Sequence, residues 1–415
     1  MPDDDTRRRA RRRTGTLAGV ALLALVLAAV LLTARPDGGG PRPDTGACVP
    51  RTVADWSHDD RLTGEFARYG DDPARIDDWT GGDGTHSVRL PDGRLLWLFS
   101  DTFLGRVYGP PNPAGESHTW RDSAAPMVRN SAVVMDGGQL AATLPAPLFP
   151  DPAPDRWRWP VAARVEPRAP GSAEQVVRVL LWVRSAGPPP WIYGVPTATE
   201  VATLTLPDLR VESVTTVFDQ SLMPDPSRRV LFGTTLITED GWTYVYGGDD
   251  GQAVARPVSS AYVARVPEGR LADPAAWRFW TGSAWSARDG PRPVLGDERA
   301  EGVGSAFSVV RAGGTYVLFT MAAGAAGLST VTSYWSCSPT GPWHGPGEVL
   351  RPPLPRPGVG AYNPQVHPQI SGADGALVLS YDVNWLEQTG AAAQLSGNVS
   401  LYRPRFVSLR LAAAG

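Results

Sequence analysis

Five short runs of apolar and aromatic residues punctuate the chain: Leu95–Phe99 (LLWLF), Val179–Val183 (VLLWV), Trp242–Tyr246 (WTYVY), Tyr316–Thr320 (YVLFT) and Leu377–Tyr381 (LVLSY). Each is apolar and aromatic and reads as the second strand of a hairpin that follows a short opening strand, with weaker strands after it. Their starts at 95, 179, 242, 316 and 377 are 84, 63, 74 and 61 residues apart. Intervals of that size hold one four-stranded antiparallel sheet with its loops, more than the ~40–45 residues of a typical propeller blade. No helical periodicity separates the runs. The pattern predicts an all-β fold, a five-bladed β-propeller, with a pair of β-sandwiches as the alternative. The units open near Asp83, Trp159, Thr234, Ser305 and His367, which a propeller would bring around its axis at one face.

Ahead of the repeats the pattern changes. Six arginines crowd residues 1–13, and Thr14 to Ala34 then run without a charge for 34 − 14 + 1 = 21 residues. That is long enough to span a bilayer at about 20 residues. The arginines on its N-terminal side predict a body outside the membrane. The reading is a basic tail (1–13), a transmembrane signal-anchor helix (14–34), a flexible Pro/Gly-rich linker (35–55) and the propeller (56–415). A cleaved signal peptide, hence a secreted protein, is the competitor; its best cut, after Ala34, would put Leu32 where a small residue is wanted.

Composition narrows the classes. Gly 45, Pro 41 and Trp 15 in 415 residues suit many turns and aromatic-rich strands. All 39 basic residues are Arg, and removing the seven Arg and three Asp of residues 1–35 leaves 32 Arg against 39 acids, a balance of −7. A mildly acidic body argues against nucleic acid, which calls for a basic face. Cys48 and Cys337 are too few for a zinc site; they pair as one disulfide or stay as two buried thiols.

Candidate chemistry gathers in the first unit, WTGGDGTHSVRLPDGRLLWLFSDTFLG (Trp79 to Gly105). The runs His86–Leu90 and Leu95–Phe99 flank Pro91-Asp92-Gly93-Arg94, a hairpin signal. Asp83 precedes the first strand and Asp101 follows the second, so 101 − 83 = 18 residues bring both carboxylates to one end of the hairpin. Paired carboxylates suit general acid/base hydrolysis; side-chain bonding to nearby turn amides is the plainer reading. Trp79, His86, Asn130, Trp159, Glu301, Asn363, His367 and Asn384 are candidate ligand contacts, with Asp382 beside the last. Plainer readings stand next to these: Trp97, Trp182 and Trp242 as core, Trp277, Trp280 and Trp285 as packing between units, and His367 as a buried axial residue. No cofactor is expected, and the one metal alternative is a structural calcium caged by Asp249 and Asp250.

The stretch GGDGTHSVRLPDGRLLWLFSDTFLG, then RNSAVVMDGG from Arg129, Trp159-Pro160, and the late NPQVHPQ and LVLSYDVN resemble secreted actinobacterial propellers of the domain of unknown function 4185 and 5005 groups. The resemblance runs from about Trp79 to the C-terminus and is most specific in the first unit. Related proteins are glycoside hydrolase family 183 endo-D-arabinanases. The resemblance implies a five-bladed propeller, an inverting pair at Asp83 and Asp101, and a D-arabinan or arabinogalactan-like cell-wall substrate; of the pair, Asp101 is taken as the acid. Here Gly82 and Ser100 precede the two aspartates, a turn closer to the 5005 group.

The functional expectation is therefore a monomeric, extracytoplasmic glycoside hydrolase acting on a furanosidic cell-wall polysaccharide and tethered to the membrane by its N-terminal helix. The rival is a non-catalytic, membrane-tethered glycan-binding or interaction propeller.

Overall fold

The computed structural model describes residues 48–321, 330–387 and 389–413. The tail 1–13, the span 14–34 and the first part of the linker lie outside the described residues. Among those described, no helix is long and apolar enough to cross a membrane.

Five large antiparallel sheets follow one another along the chain. The first is built from His86–Arg89, Leu95–Phe99, Ser131–Asp136 and Gln139–Thr143. The second holds Arg156–Pro167, Gln175–Ser185, Val195–Leu204 and Val211–Asp219; the third begins with Val230–Glu239 and Trp242–Asp249. The fourth runs from Phe307–Ala312 to His344–Leu350, and the fifth begins with Val359–Ser371 and Leu377–Trp385. Each expected apolar run is the second strand of its sheet. The first strands pack side by side in cyclic order, first to second and on to fifth, with the fifth returning to the first. This is a β-propeller arrangement.

Burial explains the order. Each pair of successive sheets encloses its own apolar core. Leu96, Leu98 and Val134 of the first sheet meet Val177, Val179 and Leu181 of the second. Tyr246 and Val263 of the third meet Phe307 and Leu318 of the fourth. A second strand is thus covered on both faces, so it reads as a continuous apolar run rather than an alternating one.

The described structure includes a strand ahead of the expected boundary at residue 56. Strand Arg51–His58 pairs with the last strand, Pro404–Ala413, and completes the fifth sheet. Chain start and chain end thereby share one sheet, which leaves the ring without an open seam. Cys48 and Cys337 form a disulfide, Cα–Cα 5.6 Å, tying the lead-in to the fourth sheet. One helix, Asp60–Gly70, also escapes the strand pattern. Asp59 caps it by accepting the Leu62 N–H at 2.9 Å, and Leu62, Phe66 and Tyr69, on one face at helical spacing, fill the core between the fifth and first sheets.

Candidate functional site

The first-sheet hairpin closes as its spacing predicts. The Asp83 N–H donates to the Asp101 carbonyl at 3.2 Å, and the Ser100 N–H donates to the Asp83 carbonyl at 2.7 Å. Gly84 turns this corner with φ +64°; a Cβ there would sit 2.4 Å from Ser100 Oγ. The turn therefore needs glycine both for its left-handed backbone and for space.

Both carboxylates face one cavity of about 900 Å³, lined by residues of four sheets and by Gly304, Ser305, Ala306 and Met321 flanking the strands of the fourth. Two neighbours hold the hairpin end. From the second sheet, Trp159 Nε1 donates to Asp101 Oδ1 at 2.9 Å. From the fifth, Asp382 accepts the Gly84 N–H at 2.7 Å and the Thr85 hydroxyl at 2.6 Å.

The two aspartates have different surroundings. Tyr362 Oη donates to Asp83 Oδ2 at 2.8 Å, and the Tyr402 hydroxyl bonds it as well. Burial, then the negative charges of Asp101 and Asp382, push the Asp83 carboxyl well above the ordinary carboxylate range against those two donors. Burial also raises Asp101, but the Arg129 guanidinium, 3.2 Å from Oδ2, and the Trp159 indole pull it back. Asp382 is buried among donors, and burial lifts it to about 6. Both carboxyls are thus raised, Asp83 more strongly than Asp101, so the arrangement can hold a proton on Asp83 in preference to Asp101.

The other expected contacts divide. His86, Trp159, Asn363 and Asn384 line the cavity. His86 is buried, which holds its imidazole neutral with its pKa lowered to about 3. Asn363 Nδ2 donates to Asp382 Oδ2 at 3.2 Å, and Asn384 Oδ1 is buried without a partner.

Trp79, Asn130, His367 and Glu301 do not line the cavity, which corrects the sequence reading. Trp79 is fully buried among Phe66 and Phe99. Asn130 spends its amide on the backbone of Phe149 and Arg158 at 2.8–3.0 Å. Both His367 nitrogens are engaged, with Ser87 Oγ at 2.6 Å and Ser380 Oγ at 2.8 Å, so the plainer axial reading describes it. Glu301 is exposed in a turn capped by Asp297.

Asp249 and Asp250 form no oxygen cage. Arg256 lies 3.2 Å from Asp249 and Arg184 lies 2.7 Å from Asp250. Among the described residues no group of three or more His, Cys, Asp or Glu could hold a metal ion.

Sequence reasoning missed Tyr362, Tyr402 and Arg129, and it gave Thr234 only as the opening of the third unit. Tyr362 stands beside Asn363 and pairs in register with Asp382, so the motif AYNPQ carried a signal. Tyr402 reaches Asp83 from the chain's far end and left none. Thr234 follows Gly233, φ +115°, where the third sheet's first strand bulges between Phe232 and Thr235. The bulge turns Thr234 into the cavity, with its hydroxyl buried and unpartnered.

Residues 66–411 match the family model described as a domain of unknown function (DUF5005), and the chain belongs to that family. No curated protein matches the chain by sequence. Among solved structures the chain is similar to a "putative hydrolase" from Bacteroides ovatus ATCC 8483, at 18% identity and TM-score 0.63, over 90% of this chain and 97% of that one. That likeness shows the shared fold. It is similar at greater distance to the α-L-arabinofuranosidase PaAbf62A from Podospora anserina, at 12% identity and TM-score 0.47, over 83% of this chain and 100% of that one.

Proposed function

We propose that this chain is a five-bladed propeller glycoside hydrolase that cleaves a furanosidic cell-wall glycan of the D-arabinan or arabinogalactan type. The observation that carries the reading is the Asp83–Asp101 pair, closed at one hairpin end, facing one cavity and held in different electrostatic surroundings, anionic around Asp83 and cationic beside Asp101. Pairs of carboxyls whose environments separate their proton affinities are how glycosidases divide acid from base.

Asp83 is the general acid. Its proton passes to the glycosidic oxygen as the bond from that oxygen to the anomeric carbon breaks. Asp101, ionised against Arg129, takes a proton from the water whose oxygen bonds to the anomeric carbon. This reverses the roles expected from the sequence, because the charges of Asp101 and Asp382 act on Asp83 while the Arg129 cation lies beside Asp101. His86, Asn384 and Thr234 offer neutral polar atoms to sugar hydroxyls. The family 183 resemblance supplies the inverting course and the choice of glycan.

The body acts outside the cytoplasm, held by residues 14–34 or released if they are cleaved. The Cys48–Cys337 disulfide suits an oxidising compartment. The test is NMR of D-arabinan digests made with the full chain. The inverted anomer appearing first supports the reading. A retained anomer overturns the inverting course, and no product at all overturns the hydrolase.

A further inference from the structure

Connecting the second and third strands of the second sheet is a loop, 186–194, that presents its apolar side chains to water. Ile192 is 67% exposed and Tyr193 64% exposed, and together with Trp191 they line the same cavity as the aspartates. Large apolar side chains are seldom left in water without a use, and grouped at a cavity mouth they mark a binding surface.

The loop is held in place. Its own backbone closes with Trp191 N–H to Pro188 O at 3.1 Å, Ile192 N–H to Pro190 O at 2.8 Å and Gly194 N–H to Trp191 O at 3.0 Å. At its base the Gly194 carbonyl accepts Arg184 Nη1 at 2.9 Å, and the same nitrogen bonds Asp250 Oδ2 of the third sheet at 2.7 Å. Gly194 also lies against Trp157, where a Cβ would stand 2.3 Å from the indole. Presented on such an anchored arm, the two side chains lose little freedom when a ligand covers them.

Position decides what that ligand is. The carboxylates end the first-sheet hairpin, and the arm rises from the second sheet, whose Trp159 bonds Asp101; both line one cavity. Its volume, about 900 Å³, is at the upper end of small-ligand pockets, ~300–1,000 Å³, and leaves room for more than one sugar ring. We propose that Ile192 and Tyr193 form a remote subsite that takes the C–H face of a sugar residue beyond the scissile bond, so that the substrate is an oligomer or polymer rather than a terminal monosaccharide glycoside. This rests on the hydrolase reading for its kinetics, but not for its binding.

The test uses the full chain and an Ile192→Ala/Tyr193→Ala double variant, both exposed positions whose change leaves the core intact. On oligomeric arabinofuranosides, KM rises about tenfold with kcat unchanged, the size expected for ~1.4 kcal/mol of lost contact. On an aryl monosaccharide furanoside, kcat/KM stays as in wild type. Equal losses on both substrates, or none on either, overturn the subsite. Should wild type cleave nothing, affinity electrophoresis in soluble arabinogalactan decides separately: retardation lost in the double variant supports the subsite, and retardation unchanged or absent overturns it. Sedimentation checks the remaining occupant, since a wild-type dimer abolished by the double variant would assign the surface to a second copy and overturn the proposal.

Discussion

Tyr362 and Asp382 face each other in register across the first two strands of the fifth sheet, yet they act on Asp83 with opposite signs. The tyrosine donates a hydrogen bond that favours the Asp83 anion, and the aspartate's charge opposes that anion. One β-pair therefore carries both the brake and the lift on the proton of the proposed acid.

That opposition is measurable in the pH–rate profile. The alkaline limb of kcat/KM reports the loss of the Asp83 proton. Asp382→Asn removes a neighbouring negative charge, so the limb moves to lower pH. Tyr362→Phe removes a donor to the anion, so the limb moves to higher pH. Limbs that shift together, or not at all, would contradict the assignment of Asp83 as acid.

The acid limb belongs to Asp101. Arg129 and Trp159 both favour its ionised form. Arg129→Ala therefore raises the acid limb, and at pH below it kcat falls by roughly tenfold per pH unit, as for any base that must be ionised. Trp159→Phe keeps a ring in the wall but removes the 2.9 Å bond to Oδ1. It shifts the same limb upward, by less than the loss of the cation does.

His367 predicts a stability effect with a worked sign. Burial, then the nearby His86, lower its imidazole pKa from 6.5 to about 3. As pH falls below 6.5, the unfolded chain binds a proton that the native chain refuses, so this residue's contribution declines until about pH 3. His367→Gln does not titrate. Denaturant curves should show wild type and variant converging as pH falls from 7 to 4, by ~1.4 kcal/mol per unit below 6.5. A constant difference would mean that the histidine is charged in the native state.

The disulfide closes a sequence separation of 289 residues. Cys48→Ser/Cys337→Ser should lower unfolding free energy by about 2–4 kcal/mol, read by denaturant titration. Neither cysteine lines the cavity, so activity of the folded fraction should stay near wild type.

The sequence and the structure agree where local pattern decides. A doubly covered strand must read as an unbroken apolar run, so all five second strands were legible, and a two-ended hairpin must join Asp83 to Asp101. Disagreement follows contacts between distant segments. Trp79 and Trp159 look alike in sequence, but the helix Asp60–Gly70 buries the first, while the second is left facing the cavity at the boundary of two sheets. Asn130 and His367 had the right chemistry for sugar hydroxyls, yet neighbouring backbone and serines consume it. Tyr402, near the chain's end, comes beside Asp83 because the last strand, Pro404–Ala413, pairs with Leu377–Trp385 and sets Pro404 opposite Asp382. That strand's other pairing, with Arg51–His58, explains why the compact body starts before Trp56.

The most direct measurement is release of reducing ends from D-arabinan by the full chain, run beside Asp83→Asn and Asp101→Asn variants whose circular dichroism matches wild type. The account predicts steady release by wild type and a loss of at least about a hundredfold in each variant, the scale of one general acid or base. Release undiminished in either variant would remove that aspartate from the chemistry, and with it the paired-carboxylate mechanism.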